Sequence, residues 1–207
     1  MDNILQAVFN GFFLALGLII PLGAQNAFVL NQGVRSKKYL SVLPVVITAS
    51  LSDTFLILVA VSGVSMLLLH FFWVKILLLM FGILFMVYVG IVSWKEASVP
   101  SNPDQFKEAT VYSKVLSTLF ISLFNPYAIL DTVGVIGVSS TIYHGISKTA
   151  FTVACVFVSW MWFFLLAGVG KFVRKIKSFY HFQNKISAII IWVNAIFLII
   201  NLFSEMY

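Results

Sequence analysis

The fold is decided by the stretch Phe124-Asn125-Pro126-Tyr127-Ala128-Ile129-Leu130-Asp131. It lies within a mostly apolar run, from residue 114 to about residue 139, that is long enough to cross a bilayer as a helix. Proline interrupts helical hydrogen bonding, and a carboxylate in hydrocarbon costs about 2.5–3.5 kcal/mol on insertion scales. A segment that only spans a membrane needs neither group, so this stretch predicts half of a solute-binding site.

The chain as a whole is too apolar for a soluble domain. Its 207 residues are 61% hydrophobic and only 10% charged, with a mean hydropathy of +1.03. Runs of transmembrane length stand at residues 4–28, 40–69, 74–94, 114–139, 148–170 and 186–204. The composition therefore predicts an all-α integral membrane protein with six transmembrane helices, the first of them a retained span and not a signal peptide.

Basic residues are concentrated in three of the five predicted loops. Eleven of the thirteen lysines and arginines fall at residues 35–38, 95–114 and 171–185, whereas the opposite side has only Lys75 and Lys148. By the positive-inside rule these three loops are cytoplasmic and both termini are outside. Because the basic residues are spread over short loops, the net charge of +6 does not indicate nucleic-acid binding. The amphipathic segment 171–185 predicts contact with an anionic inner leaflet.

A polar linker divides the predicted spans into two sets of three. The predicted domains are a first three-helix repeat, a cytoplasmic linker and a second three-helix repeat, at residues 1–94, 95–113 and 114–207. Because three is an odd number, the second half enters the membrane from the opposite face, as in an inverted repeat. The first helix of each half is interrupted, by Pro21 and Gly23 in one and by Pro126 in the other. Paired interruptions of this kind indicate a transporter's substrate site near the midplane.

Polar side chains within the apolar runs are the candidate substrate-binding and coupling residues: Gln25, Asn26, Asp53, Asn125 and Asp131. An ionisable residue inside a membrane span is a functional hypothesis by default. Two simpler interpretations stay open. The first interruption could be a proline kink whose amides bond to neighbouring helices, and the aspartates could be neutral structural groups.

Small residues recur at four-residue spacing in the first apolar run. Ala7, Gly11 and Ala15 would let another helix approach closely, which suggests a homodimer. The single cysteine, Cys155, rules out an intramolecular disulfide and is assigned to packing.

The sequence has no motif for metal or enzymatic chemistry. His70, His144 and His181 fall at segment ends or in loops and do not cluster with cysteine or carboxylate, so no metal site is predicted. No nucleophile elbow, phosphate-binding loop or zinc-protease motif occurs. We therefore expect no cofactor and no enzymatic activity, which leaves a secondary transporter or a channel.

Three motifs resemble those of the lysine/arginine exporter (LysE/ArgO) family. They are Pro-Leu-Gly-Ala-Gln-Asn-Ala-Phe-Val-Leu-Asn-Gln-Gly at 21–33, Ser-Asp at 52–53 and Asn-Pro-x-x-x-Leu-Asp at 125–131. The resemblance implies a multi-pass exporter of amino acids in a bacterial plasma membrane, with L-lysine and L-arginine the most typical substrates. Two positions depart from the family motifs, because Ala24 stands where proline is usual and Ile129 where tyrosine is usual.

The charges suggest a mechanism for such an exporter. Free backbone N–H groups and the three amides would hold the substrate carboxylate, and the two aspartates would face its ammonium groups. Exchange for a proton would cancel the cost of moving a cation outward, about 2.3 kcal/mol per 100 mV. Asp131, beside the second break, is the preferred proton site. The alternatives are a neutral amino acid exporter of the same superfamily, a passive small-solute channel and a membrane scaffold that transports nothing.

Overall fold

Every regular element in the described part of the chain is helical. The computed structural model describes residues 4–20, 23–36, 38–63, 72–95, 110–125, 128–129 and 131–173, and positions 185, 188–189, 191–193, 195–196 and 199–200. The α-helices are α1 Ile4–Ile19, α2 Ala24–Arg35, α3 Leu43–Val61, α4 Phe72–Lys95, α5 Val111–Leu123 and α6 Gly145–Val173. Two short 3₁₀ turns lie at Tyr39–Ser41 and Ser140–Ile142, and a π-helical segment lies at Asp131–Gly137.

The described helices are apolar enough for a membrane protein. By length and composition, α3 and α6 can each cross a bilayer, and α1 with α2 make a third span if this pair, bent by 76°, is counted as one. Shorter apolar helices lie at Ile83–Val92, within α4, and at α5. Large hydrophobic side chains such as Phe13 and Leu84 are more than half exposed, as expected for surfaces that face lipid. The all-helical class is thus confirmed, while six spans in an inverted repeat stay a prediction.

Helix α6 is the centre of the bundle. It packs against α1, α2 and α3, and α3 packs in turn against α5 and the π-helical segment. Phe151, Cys155 and Val158 of α6 are fully buried in the cluster formed with α1. Phe163 and Ala167, further along α6, belong to the cluster formed with α2 and α3. One long helix therefore fixes the relative positions of the interrupted first segment and α3.

The structure corrects two details of the sequence analysis. The small face of α1 packs against α6 of the same chain, since a β-carbon added at Gly11 would lie 2.6 Å from the carbonyl oxygen of Phe151. This face is therefore occupied within the chain, and a homodimer stays a prediction that these small residues no longer support. The first interrupted segment also extends beyond residue 28, because α2 continues to Arg35, whose charge favours the carboxyl end of a helix. Pro21, Pro126, His70, His181 and most of segments 95–113 and 171–185 lie outside the described residues.

Helices α2 and α6 cross at glycine residues. A β-carbon added at Gly170 would collide with the carbonyl oxygen of Leu30, and one added at Gly33 would lie 2.6 Å from the carbonyl oxygen of Ala167. Backbone atoms cannot move aside as a flexible side chain can. The two helices can approach this closely only because both positions lack a side chain.

Replacing Gly170 with alanine is therefore expected to destabilise the protein by about 1–3 kcal/mol, the usual cost of overpacking. The measurement is the midpoint of thermal unfolding in detergent. Gly168→Ala is the matched control on the same helix, because a β-carbon there meets no atom within 4 Å. We expect this control to be neutral or stabilising by up to about 1 kcal/mol. Equal destabilisation by the two variants would contradict the close crossing.

Candidate functional site

The first interruption lies between α1 and α2. Helix α1 ends at Ile19, and Gly23 is extended, with φ −80° and ψ −178°, before α2 begins. The first backbone N–H groups of any α-helix have no partner within the helix. In α2 no side chain at the Gly23 cap position accepts from them. Gln25 and Asn26, in the first turn of α2, are buried. Asn26 Nδ2 donates to the carbonyl oxygen of Ile19, at 2.7 Å, and thereby joins the two sides of the break.

The second interruption follows α5. Helix α5 ends at Leu123, and Asn125 lies outside any regular helix with only 3% of its surface exposed. Its carbonyl oxygen accepts a hydrogen bond from the backbone N–H of Ile129, at 3.0 Å. Asp131 then begins the π-helical segment. Such segments are rare and occur frequently at functional sites.

The two interruptions meet in space. A β-carbon added at Gly23 would lie 3.7 Å from Asn125 Nδ2, in ordinary van der Waals contact. The residues at both breaks line one cavity with part of α3 and α6. We call it the carboxylate cavity, and its polar and glycine lining consists of Gly23, Gln25, Asn26, Asp53, Asn125, Asp131, Thr132, Cys155 and Ser159. All five polar residues selected from the sequence therefore lie around one space.

The two aspartates differ in their surroundings. Asp53 accepts two hydrogen bonds, from Gln25 Nε2 to Oδ1 at 2.9 Å and from Ser159 Oγ to Oδ2 at 3.0 Å. Asp131 is partly buried, and no side chain within the described ranges donates a hydrogen bond to it. Asp53 is therefore held by α2 and α6, whereas the carboxylate of Asp131 is available to a ligand.

Sequence reasoning missed the part played by α6. No motif in the sequence marks Ser159 or Trp160, but Ser159 Oγ donates to Asp53 Oδ2, and Trp160 Nε1 donates to Thr54 Oγ1 at 3.0 Å. Thr54 Oγ1 in turn donates to the carbonyl oxygen of Ser50, at 2.7 Å. These contacts fix the face of α3 that carries Asp53 against α6. Cys155 packs as predicted, with its thiol 3.4 Å from the carbonyl oxygen of Gly11, and it also lines the cavity.

The carboxylate cavity is small. Its volume is about 70 Å³, which is enough for a few water molecules. Sites for drug-sized ligands usually measure about 300–1,000 Å³. The cavity in this structure is therefore too small to hold an organic solute such as an amino acid. Within the described residues, no group of three histidine, cysteine or acidic side chains could hold a metal ion.

Comparison with known proteins assigns the chain to a family. The family model described as "LysE type translocator" matches residues 16–202. The chain belongs to the LysE family. Members of this family are transporters, so the chain is a transporter and not an enzyme, as the sequence predicted. No solved structure matches the chain at a significant level.

Three curated relatives of this LysE family member come from bacteria. The chain is 39% identical over 204 residues to a Bacillus subtilis (strain 168) protein named "Putative amino-acid transporter YisU", covering 96% of the chain and 91% of the relative. It is 33% identical over 164 residues to "Arginine exporter protein ArgO" of Salmonella paratyphi A, covering 77% and 75%. Against ArgO of Salmonella paratyphi C the identity is 30% over 196 residues, with 90% of each chain covered. The family resemblance noted in the three motifs is confirmed.

Proposed function

We propose that this LysE family member exports amino acids across a bacterial plasma membrane in exchange for protons, with L-arginine and L-lysine as the preferred substrates. The observation that carries the proposal is the meeting of Asp53 and Asp131 with three amides at two helix interruptions. Relatives named as an arginine exporter and as an amino-acid transporter support this substrate class. In this proposal the chain has six spans in two inverted repeats, with both termini outside.

The proposed site matches the two ends of an amino acid. The amides Gln25, Asn26 and Asn125, together with the positive amino-terminal end of α2, suit a carboxylate. Asp53 and Asp131 suit ammonium or guanidinium groups, which bind carboxylates through charge-assisted hydrogen bonds. A substrate with two positive groups could therefore engage both aspartates, while a neutral amino acid would engage one. This difference favours cationic substrates.

The membrane potential is the reason for proposing exchange with protons. An inside-negative potential opposes the outward movement of a cation by about 2.3 kcal/mol per 100 mV. A carboxylate that releases the substrate outside and returns inward protonated removes this opposing term. Asp131 is the proposed exchange site, because its oxygens are not already occupied by side chains of the described residues.

Efflux from cells tests the proposal. A host without its own exporters would be loaded with dipeptides of arginine, lysine and neutral amino acids, and efflux would be followed with and without an uncoupler. We expect efflux of arginine and lysine that saturates and falls when the uncoupler is added. Efflux of neutral amino acids alone would keep the exporter and remove the cationic preference. Efflux that neither saturates nor responds to the uncoupler would indicate a channel, and no efflux would contradict the proposal.

A further inference from the structure

A second and larger cavity lies on another side of α2. Its volume is about 540 Å³, within the range of small-molecule sites. Its polar end is formed by Asn31, Gln32, Arg35, Ser113, Lys114 and Ser117. The apolar end includes Ala27, Ile121 and Ile191, which belong to the hydrophobic cluster between α2, α4 and α5. We call this space the basic cavity.

The two cavities have opposite charge. In the described part of the chain the acidic side chains are Asp53 and Asp131, and both line the carboxylate cavity. The described lining of the basic cavity contains two cationic side chains, Arg35 and Lys114, and no acidic one. An amino acid carries both kinds of charge. Its ammonium group suits the carboxylate cavity, and its carboxylate suits the basic cavity.

Lys114 is the side chain that sets the character of the basic cavity. It is 6% exposed, which is unusual for lysine, because a buried ammonium group needs partners. Within the described residues its Nζ donates one hydrogen bond, to the carbonyl oxygen of Ser41 at 3.1 Å. An ammonium group has three donors. Two remain for an anionic group in the cavity, and the hydroxyls of Ser113 and Ser117 in the same lining can donate further hydrogen bonds.

The two cavities lie on different sides of α2 and overlap along its first turn, while the polar end of the basic cavity lies further along the helix. Asn26 lines the carboxylate cavity and Gln32 lines the basic cavity, and six residues of helix separate them by about 9 Å. The bond from Lys114 to Ser41 places the start of α5 beside the connection between α2 and α3. The positive-inside rule assigns the α2–α3 connection and the segment before α5 to the cytoplasm. The basic cavity is therefore on the side from which an exporter takes its substrate.

We propose that the basic cavity is an entry subsite that binds the carboxylate of the amino acid before the substrate reaches Asp53 and Asp131. The inference rests on the proposed function and adds to it a residue, Lys114, and an order of binding. The substrate carboxylate is held first by Lys114, with Arg35 adding positive charge to the cavity, and the rest of the molecule is directed past the start of α2. The substrate amine then meets the aspartates when the carboxylate cavity opens.

Transport into proteoliposomes tests this order. Purified protein would be reconstituted in vesicles of phosphatidylcholine, either alone or with added phosphatidylglycerol. Uptake of L-arginine would be measured with the substrate supplied to the cytoplasmic face of the protein. We expect Lys114→Gln to raise the KM about tenfold, since a hydrogen bond to a charged group is lost, with kcat changed less than about threefold. Agmatine, which is arginine without its carboxylate, should inhibit the wild type and Lys114→Gln equally. Lys114→Arg should restore the KM.

Lys38→Gln is the matched control. Lys38 is exposed on the same predicted cytoplasmic face and does not line the basic cavity, so its replacement should leave the KM unchanged. An unchanged KM in Lys114→Gln, or a fall in kcat alone, would overturn the inference. A KM effect that appears only with phosphatidylglycerol would assign the cavity to a lipid phosphate and overturn it as well. If the wild type transports no amino acid, the proposed function itself fails.

Discussion

Replacing Asp131 with asparagine is expected to lower arginine export about 100-fold and to leave the remaining export insensitive to an uncoupler. Loss of a charge-assisted hydrogen bond to the substrate accounts for about 1.5–3 kcal/mol, which corresponds to a 10- to 150-fold effect. Asparagine cannot exchange a proton for the substrate, so the residual transport would also lose its coupling. Efflux from dipeptide-loaded cells, normalised to the amount of protein in the membrane fraction, measures both effects.

The controls for Asp131→Asn separate charge from folding. Asp131→Glu keeps the carboxylate and should retain uncoupler-sensitive export at a reduced rate. Asp104→Asn removes a carboxylate from the predicted linker at residues 95–113 and should export as the wild type does. Since no described side chain donates a hydrogen bond to Asp131, the asparagine variant should unfold at the temperature of the wild type. Normal, coupled export by Asp131→Asn would exclude this residue as the proton site.

The residues around the carboxylate cavity could be selected from the sequence because a membrane makes polar groups costly. Gln25, Asn125 and the two aspartates each interrupt a long apolar run, so each is conspicuous without knowledge of its neighbours. A glycine or proline near such a group adds a local reason for a helix to end. The structure places these residues around one space, which the sequence could suggest only by the correspondence of its two halves.

Other features depend on contacts that no local pattern contains. A serine within a helix usually bonds to a carbonyl of its own helix, as Ser52 does with Thr48 at 2.8 Å. Ser159 reaches Asp53 instead, and this partner is set by how α6 crosses α3. The small residues of α1 indicated a close helix contact but not which helix makes it. Lys114 was counted as a loop charge, because burial of its side chain depends on the tertiary position of the connection before α3.

Replacing Asp53 should separate the chemical role of this carboxylate from its structural role. Asp53→Asn is expected to lower arginine export about 100-fold, by loss of a charged hydrogen-bond acceptor for the substrate. Its side chain has the same shape, and the Gln25 amide and the Ser159 hydroxyl can each reorient to donate or accept. The midpoint of thermal unfolding should therefore change little. Asp53→Ala is expected to be equally inactive and also destabilised by about 1–3 kcal/mol, because the buried amide of Gln25 loses its partner.

The comparison between these two variants decides between a transport site and a structural group. If Asp53 only joins α2 to α6 through Gln25 and Ser159, then Asp53→Asn should export normally and only Asp53→Ala should fail. Ser159→Ala removes one of the two hydrogen bonds and leaves the charge, so we expect export to fall by less than about tenfold. Efflux and thermal unfolding would be measured on the same preparations. Full export by Asp53→Asn would remove Asp53 from the substrate site and leave Asp131 as its carboxylate.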